Sequence, residues 1–330
     1  MVISQGTCIG QIMNPFESLK GKRVLVTGAN GFIGAHLVAR LIEVKAVVYA
    51  LVSPQSTLQR LQNMESQINI VRCDLLDPVT LNTVCLEICP QIVFHLASYG
   101  VYPDQTDLLR VSHVNGFGLT NLLVALRDNF ESFIYTGTAI EYGTKKSPMK
   151  ETDLLEPNNF YGATKAGNTL LLQAYAIHHK KKIITLRPFY IYGPGEGETR
   201  LIRTIIRACL EGRELPLTSF NETRDFVFVE DLITGYLTAA SDHVQGHHII
   251  NIGTGVETSF KKVIEIIEDL TQKKINVVEG KYERRPWSSN CWAADITKAK
   301  QLLNWSPKYS LREGIAQVLK WHRSQNQIPA

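Results

Sequence analysis

The sequence predicts an α/β fold, in which a doubly wound parallel sheet is joined to a smaller, mixed domain toward the C-terminus. Three observations predict it. Short β-branched runs alternate with stretches of helical periodicity as far as Arg187, which is the pattern of successive β–α–β units. A glycine-rich segment directly follows the first of these runs and opens a helical stretch. Beyond Pro188 the alternation gives way to loops and isolated elements.

The elements follow one another in a regular order. Apolar and β-branched runs predict strands at 22–27, 46–52, 68–72, 92–98, 133–138 and 183–187. Helical periodicity predicts a helix ending near Leu41, one after Pro78, and two more at 115–127 and 161–179. In the irregular part, the sequence predicts strands at 224–229 and 249–252, and helices at 201–211, 260–270, 296–303 and 311–323.

Composition excludes several classes of protein. With 44% apolar and 20% charged residues among 330, the chain is typical of a globular protein with a large core. It has no run of ~18 apolar residues, so we expect no membrane span. The net charge of +4, from 35 basic and 31 acidic residues, is too small and dispersed for nucleic-acid binding but suits an anionic small ligand.

The cysteines and the N-terminus favour a cytoplasmic protein. Six cysteines are scattered without C-x-x-C spacing, which predicts reduced thiols and indicates neither a metal site nor a disulfide framework. Residues 1–19 have almost no positive charge and no long apolar stretch. We therefore interpret them as an N-terminal extension and not as a signal peptide.

The glycine-rich turn predicts a dinucleotide site. Gly28, Gly31 and Gly34 are spaced G-x-x-G-x-x-G between the first strand and its helix. Such glycines permit a tight turn, a close approach of backbone to a pyrophosphate, and packing of helix on strand. The first amides of the helix then face the phosphates. An ordinary turn between strand and helix is the alternative.

The end of the second strand bears on the choice of cofactor. A carboxylate there would bind the ribose hydroxyls of NAD, but the chain reads Val-Ser-Pro-Gln-Ser. No acid opposes a 2′-phosphate, and Ser53 and Arg60 can contact one. We therefore favour NADP(H), with NAD(H) as the alternative. After the third strand, Asp74 either binds the adenine amine or N-caps the next helix, and His95 is interpreted as a core residue.

Tyr161 and Lys165 are the candidate acid–base pair. They lie four residues apart, one turn along the same helix face. There an ammonium favours the phenolate, so that the tyrosine can exchange a proton near neutral pH. Taken alone, the pair also fits a solvated helix face. The glycine turn, together with Thr138 at the end of the fifth strand, favours a hydride-transfer site.

These segments together resemble the extended short-chain dehydrogenase/reductases that modify nucleotide sugars, the NAD-dependent epimerase/dehydratase family. The resemblance covers residues 21–323 and rests on six ordered motifs, which are Thr-Gly-Ala-Asn-Gly-Phe-Ile-Gly from Thr27, Phe-His-Leu-Ala from Phe94, Tyr-Gly-Ala-Thr-Lys from Tyr161, Tyr-Gly-Pro-Gly from Tyr192, Arg-Asp-Phe-Val-Phe-Val-Glu-Asp from Arg224, and Arg285-Pro286 with Ala294-Asp295 and Trp305-Ser306-Pro307 after it. Gly195-Glu196-Gly197-Glu198 and the Arg224 segment look most like reductases of 4-keto-6-deoxyhexose nucleotides.

The resemblance implies roles for individual residues. Thr138, Tyr161 and Lys165 would form the catalytic set. The cofactor would be bound by Gly28, Asn30, Gly31, Phe32, Ile33, Gly34, Ser53, Arg60, Asp74, Leu75, Leu96, Ala97, Ser98, Tyr161, Lys165 and Pro188. A nucleoside-diphosphate sugar would contact Thr138, Glu141, Tyr190, Arg224 and Arg285, with the two arginines on the diphosphate. The family commonly forms homodimers through two helices per subunit, here those after Asn115 and Tyr161.

The resemblance also implies a division into domains. Residues 20–187 would form the dinucleotide-binding domain, to which 225–255 return. Residues 188–224 and 256–330 would form the substrate-binding domain.

Two departures from the family pattern narrow the function. Dehydratases follow the catalytic threonine with Asp-Glu, whereas this chain has Ala139-Ile140, which cannot move a proton. Glu141 or Tyr142 could face the sugar, but neither stands at the position of the family's catalytic acid. Tyr190 stands where epimerases and dehydratases often have a substrate-binding asparagine.

Three hypotheses follow. The first is a reductase that delivers hydride from NADPH to a 4-keto nucleotide sugar. The second is a 4-epimerase that uses the same three residues and retains NAD. The third is a non-catalytic dinucleotide sensor on the same fold.

Overall fold

A computed structural model describes residues 16–102, 104–145, 148–281 and 292–326. Its strands, numbered in chain order, are β1 Arg23–Thr27, β2 Val47–Val52, β3 Asn69–Arg72, β4 Ile92–His95, β5 Ser132–Thr136, β6 Lys182–Pro188, β7 Tyr190–Tyr192, β8 Leu215–Leu217, β9 Thr223–Arg224, β10 Phe226–Phe228, β11 His247–Ile252, β12 Thr258–Ser259 and β13 Val277–Glu279.

The helices account for most of the remaining described chain. They are α1 Phe32–Glu43, α2 Pro78–Ile88, α3 Leu108–Ser112, α4 Gly118–Leu126, α5 Phe160–His179, α6 Leu201–Glu211, α7 Val229–Ala240, α8 Phe260–Thr271, α9 Thr297–Leu303 and α10 Leu311–Asn326. A π-helical segment, His113–Phe117, joins α3 to α4, and short 3₁₀ turns lie at Glu17–Leu19, Gln62–Gln67 and Ala139–Tyr142.

Seven strands form one parallel sheet in the order β3-β2-β1-β4-β5-β6-β11. All residues of β5 and β6 are buried, as expected for strands covered by helices on both faces. The strand order reverses between β1 and β4, and ligands of such sheets bind beyond the carboxyl ends at this point. The predicted doubly wound parallel sheet, known as the Rossmann fold, is confirmed.

Smaller elements gather on one side of this sheet. β7 pairs with β10 and β8 with β13 in parallel, whereas β9 pairs with β12 antiparallel. Helices α6, α8 and α10 pack against one another beside these pairs. The C-terminal part is thus mixed, as predicted, and the exact division into domains stays a prediction. No helix in the described ranges combines the length and apolar character that a membrane crossing requires.

Two elements differ from their predictions for identifiable reasons. The helix predicted at 115–127 begins at Leu108 instead, because the side chain of Asp107 accepts the amide of Arg110 and caps it. The strand predicted at 224–229 breaks at Asp225, and the missed helix α7 begins at Val229. An uninterrupted apolar run across 226–229 hides that strand–helix boundary from sequence patterns.

Candidate active site

The glycine turn is closely packed against its neighbours. Gly28 has a φ of +68°, and a Cβ added there would lie 2.7 Å from the amide nitrogen of Ala97. A Cβ on Gly34 would lie 2.2 Å from the carbonyl oxygen of Gly28. Helix α1 begins at Phe32 after Gly31, and no side chain caps its first turn. Its uncapped amides, including those of Phe32 and Ile33, therefore fit a pyrophosphate.

The ends of β1 and β4 are held together beneath this turn. The Thr27 hydroxyl lies 2.7 Å from Nδ1 of His95 and accepts the amide of Ala97 at 3.2 Å. The amide of Leu96 donates to the Thr27 carbonyl. Burial lowers the pKa of His95 to about 3, with the Lys165 charge adding to the effect, so the ring is neutral. The geometry agrees with the prediction of a core histidine.

The loop after β2 is tied to the glycine turn by Asn30. Its side-chain amide donates to the Ser56 hydroxyl and the Thr57 carbonyl at 3.1 and 2.5 Å, and its oxygen accepts the amide of Arg60. The Arg60 guanidinium donates to the carbonyl of Gly195 at 3.3 Å. Ser53 is exposed. Arg60 thus links the adenosine end of the predicted cofactor site to the Gly193–Gly197 loop.

The turn after β3 corrects one prediction. The side chain of Asp77, not that of Asp74, accepts the amides of Val79 and Thr80 and N-caps α2. Asp74 is exposed, and its carboxylate accepts the amide of Leu76 at 2.9 Å. Its adenine-binding role stays a prediction. Leu75 is buried, and its carbonyl accepts from the Asn121 side chain.

Helix α5 presents Tyr161 and Lys165 toward the carboxyl ends of the strands. Asn159 caps the helix through the amide of Gly162. The Lys165 ammonium is 1% exposed, donates to the Thr136 carbonyl at 2.8 Å, and lies 4.7 Å from the Tyr135 ring centroid. Burial lowers the pKa of Lys165 to about 8, although the charge of Glu141 opposes this. Lys165 is therefore a buried amine and not part of a solvated helix face.

The environment of Tyr161 differs from the sequence expectation. Burial raises the pKa of its phenol well above the usual value, the charge of Glu141 adds to this, and the Ser98 hydroxyl and the charge of Arg200 oppose it. The Lys165 ammonium, directed to a backbone carbonyl, lies 5.8 Å from the phenol ring centroid. In this structure the phenol therefore holds its proton, which it can donate.

Thr138 starts a 3₁₀ turn of Ala139–Tyr142 as its N-cap. Its hydroxyl accepts the amide of Ile140 at 3.2 Å and keeps its own proton free to donate. Its backbone amide donates to Oε1 of Glu141, which closes a capping box. The turn thus fixes Thr138 just beyond the carboxyl end of β5, where Lys165 of α5 bonds the Thr136 carbonyl.

Glu141 was predicted to contact the sugar, but its side chain does not face the sugar site. It is 0% exposed, and its Oε2 accepts from Arg187 Nε at 2.8 Å and from the Thr169 hydroxyl at 2.9 Å. Tyr142 is also buried, donates to the Asn251 side chain and accepts from Arg187. Both side chains point into the core because the capping box turns them inward. Glu141 is a structural partner of Thr138.

Sequence reasoning missed the role of Asn115. This buried residue lies in the π-helical segment, where its side chain bonds both the amide and the carbonyl of Tyr99 at 2.8 and 2.9 Å. It also donates to the Thr164 hydroxyl at 2.9 Å, next to Lys165. π-helical segments are frequent at functional sites. A buried amide within an apolar helical pattern was the available signal.

Two other predicted substrate residues, Tyr190 and Arg224, lie on the neighbouring elements β7 and β9 and contact aromatic and charged side chains. The Tyr190 hydroxyl accepts the amide of Leu201 at 3.1 Å, and its ring lies 4.6 Å below the Arg200 guanidinium. Arg224 pairs with Glu222 at 3.0 Å and lies over the rings of Phe260 and Trp292. Pro188 ends β6, between Arg187 and Tyr190. Arg285 lies outside the described residues.

Comparison with known proteins agrees with this geometry. The family model described as GDP-mannose 4,6 dehydratase matches residues 25–318. An uncharacterized UDP-glucose epimerase of Bacillus subtilis is 30% identical over 91% of this chain and 97% of its own. The GDP-6-deoxy-D-mannose reductase of Pseudomonas aeruginosa is 26% identical over 90% and 96%.

One solved structure resembles the chain over nearly its whole length. The UDP-glucuronic acid 4-epimerase of Bacillus cereus, in complex with UDP-glucuronic acid and NAD, superposes with a TM-score of 0.82 at 28% identity. The match covers 92% of this chain and 99% of that one. The chain therefore belongs to the GDP-mannose 4,6 dehydratase family of the extended short-chain dehydrogenase/reductases, as its motifs predict.

Proposed function

We propose that the protein is an NAD(P)-dependent oxidoreductase of nucleotide-linked sugars, which reduces a 4-keto-(6-deoxy)hexose nucleotide. The observation that carries this proposal is that Tyr161, whose phenol keeps its proton, and the buried Lys165 lie one turn apart on α5, with Lys165 bonded at the carboxyl end of β5, two residues before Thr138. Ala139 and Ile140, which occupy the positions of the dehydratase acids, are apolar, and Ile140 packs against Gly162. This arrangement supports reduction over dehydration.

The three side chains divide the work on the sugar oxygen. Tyr161 donates its proton to the oxygen as negative charge develops there, and Thr138 donates a hydrogen bond to the same atom. Lys165, anchored on the Thr136 carbonyl, holds the ribose end of the cofactor and supplies positive charge. A bound nicotinamide supplies the hydride. The glycine turn and α1 amides hold the pyrophosphate.

NADP(H) remains our preferred cofactor, with NAD(H) as the alternative. The support is local: the described loop after β2 has no carboxylate near Ser53, it carries the guanidinium of Arg60, and the guanidinium of Arg72 at the end of β3 contacts it. Arg72 donates to the carbonyls of Pro54 and Ser56 and so shapes this loop. The B. cereus relative contains NAD, which favours the alternative.

A 4-epimerase is the second candidate function. Several similar proteins carry that name, including the UDP-glucose 4-epimerase of Mycolicibacterium smegmatis, which is 29% identical over 92% of this chain. An epimerase returns the hydride to the opposite face of the sugar and so must retain its cofactor. The same Thr138, Tyr161 and Lys165 set would serve it.

The deciding experiment identifies the nucleotide that the purified protein releases on gentle denaturation. Tightly held NAD(H) would replace the reductase proposal with the epimerase. An empty protein that binds NADPH more tightly than NADH would support the reductase. A screen of 4-keto nucleotide sugars with NADPH would then measure turnover directly.

Replacement of Tyr161 by Phe tests whether the site is catalytic at all. We expect turnover to fall roughly 10²- to 10⁴-fold, because the proton donor is lost. Tyr175→Phe is a matched control on the same helix, since its hydroxyl bonds Asp128 far from the site. A Tyr161→Phe protein with unchanged cofactor binding and unchanged function would instead indicate a non-catalytic sensor.

We further propose a homodimer formed by α3–α4 and α5 of each subunit. These helices carry apolar side chains that are more than half exposed in the single chain, namely Leu109, Phe117, Val124, Leu170 and Ile177. Several large apolar side chains exposed on packed helices are a feature of protein interfaces. Light scattering of the wild type and of Val124→Glu tests it: the wild type should have twice the mass of one chain. We also propose a cytoplasmic location.

A further inference from the structure

A group of charged and aromatic side chains surrounds Arg200 and includes the catalytic Tyr161. We call it the Arg200 cluster, and it comprises Arg200, Glu196, Tyr102, Tyr161 and Tyr190. Tyr102 comes from the loop after β4, Tyr161 from α5, Tyr190 from β7, and the two charged residues from the segment before α6. Tyr102 contacts this segment, because a Cβ added to Gly197 would lie 2.9 Å from its hydroxyl.

Arg200 is held in place by Tyr190. The guanidinium lies 4.6 Å from the Tyr190 ring centroid, and the Tyr190 hydroxyl accepts the amide of Leu201, the residue after Arg200. The ring thus supports the cation while the hydroxyl fixes the start of the helix that carries it. Arg200 is only partly exposed. Its side chain is therefore ordered before any ligand arrives.

Arg200 differs from neighbouring arginines in lacking an acidic partner. Arg203 and Arg207 pair with Glu198 at 3.2 and 3.3 Å, and Arg224 pairs with Glu222. Among the described residues, no carboxylate lies within 4.0 Å of the Arg200 guanidinium, and no hydrogen bond from it is made. Five N–H donors of a fixed charge are thus directed into the cluster.

Glu196 does not cancel that charge. Its carboxyl is 0% exposed, and neither oxygen has a hydrogen-bond partner among the described residues. Burial raises the pKa of Glu196 to about 8 against the opposing charges of Arg200 and Arg203, so the group is neutral at pH 7. Burial raises the pKa of the Tyr161 and Tyr190 phenols, and the charge of Arg200 reaches both groups and opposes that rise. The positive potential therefore extends toward the proton donor.

We propose that Arg200 binds an anionic oxygen of the substrate beside Tyr161, with Tyr190 as its positioning residue. This inference rests on the proposed function, since it assumes a nucleotide-sugar substrate. Two groups of such a substrate carry this oxygen: the diphosphate, and a C6 carboxylate close to the reacting C4. The UDP-glucuronic acid in the B. cereus relative carries both.

The experiment compares the binding of matched ligands by calorimetry. The wild-type chain is first titrated with UDP, GDP, dTDP, CDP and ADP to select the nucleoside diphosphate that it binds most tightly. That diphosphate, its glucose conjugate and its glucuronic acid conjugate are then titrated into wild type, Arg200→Gln, Arg200→Lys and Arg207→Gln. The last variant is the matched control, because Arg207 lies on α6, the helix that begins directly after Arg200, and pairs with Glu198.

The two sources of the anionic oxygen give different results. If Arg200 binds a carboxylate, Arg200→Gln weakens only the glucuronic acid conjugate, roughly 10- to 100-fold. If it binds the diphosphate, all three ligands weaken to that extent. In either case Arg200→Lys recovers part of the affinity.

Two results would overturn the inference. If Arg200→Gln binds every ligand as tightly as Arg207→Gln does, Arg200 does not bind the substrate. The proposed function would be unaffected by that result. A wild-type chain that binds none of the five nucleoside diphosphates or their sugar conjugates would overturn the proposed function, and the site with it.

Discussion

The cofactor side and the substrate side of the cleft are built by different means. On the cofactor side, Gly28 and Gly34 allow backbone to touch backbone, and the ligand would face main-chain amides. On the substrate side, Thr138 is positioned by the Glu141 side chain, which Arg187 of β6 bonds in turn, and Arg200 lies over the ring of Tyr190 of β7. The first side depends on the absence of side chains, whereas the second depends on particular pairs of them. Mutations should therefore break the two sides in different ways.

The largest effect is expected from Glu141→Gln on the substrate side. The substitution leaves the buried Arg187 guanidinium without its charged partner, which costs about 3–5 kcal/mol of unfolding free energy. Turnover should fall as well, because glutamine has one acceptor oxygen where Glu141 has two, so that either the Thr138 amide or the Arg187 and Thr169 donors lose their acceptor. Urea denaturation measures the stability. Glu17→Gln is the control, since its pair with Lys20 is exposed and should be worth about 1 kcal/mol or less.

Gly34→Ala tests the cofactor side. The added methyl would lie 2.2 Å from the Gly28 carbonyl oxygen, so the turn must open at a cost on the order of 3 kcal/mol. We expect cofactor binding, followed by fluorescence titration, to be lost. Gly167→Ala on α5 meets no atom within 4 Å and should stabilise the helix by about 0.5–1 kcal/mol. Normal cofactor affinity in Gly34→Ala would contradict the close packing of this turn.

The pH dependence of the free energy of unfolding tests the protonation state of Glu196. Its folded pKa of about 8 exceeds the usual 4.5, so between these values the unfolded chain loses a proton that the folded chain keeps. The Glu196 contribution to stability is thus complete below pH 4.5 and declines until pH 8. The Glu196→Gln variant lacks this decline. Its free energy of unfolding, relative to that of the wild type, should therefore rise by at most about 1.4 kcal/mol per pH unit. Urea denaturation at pH 6 and pH 8 measures the difference. A constant difference would show that Glu196 titrates normally.

The same contrast explains what sequence reasoning could predict. The glycine turn, the Tyr161–Lys165 pair and the alternation of strands and helices are local patterns, and the sheet follows from them. Glu141 was misplaced because its partner Arg187 lies 46 residues away, and nothing near Glu141 indicates that it is buried. Asp77 was overlooked in favour of Asp74 because both precede α2, and only the backbone geometry selects between them.

Arg200 and Lys165 show which electrostatic properties a sequence pattern does not predict. Sequence spacing predicted that the Lys165 ammonium favours the Tyr161 phenolate. In the structure, burial raises the pKa of the phenol, and the ammonium is directed to the Thr136 carbonyl. Burial and direction depend on packing between distant elements, which spacing along one helix does not contain. No role for Arg200 was predicted, because its lack of an acidic partner is a property of the folded chain.

The smallest effect separates the two functions of Tyr190. Tyr190→Phe removes the hydroxyl that accepts the Leu201 amide and should cost about 1 kcal/mol, similar to loss of a helix cap. It keeps the ring under Arg200, so substrate affinity should be nearly unchanged. Tyr190→Leu removes both, and the guanidinium then loses its aromatic support. Denaturation and calorimetry on both variants test this. If Tyr190→Phe lowers substrate affinity as much as Tyr190→Leu, the hydroxyl, and not the ring, positions Arg200.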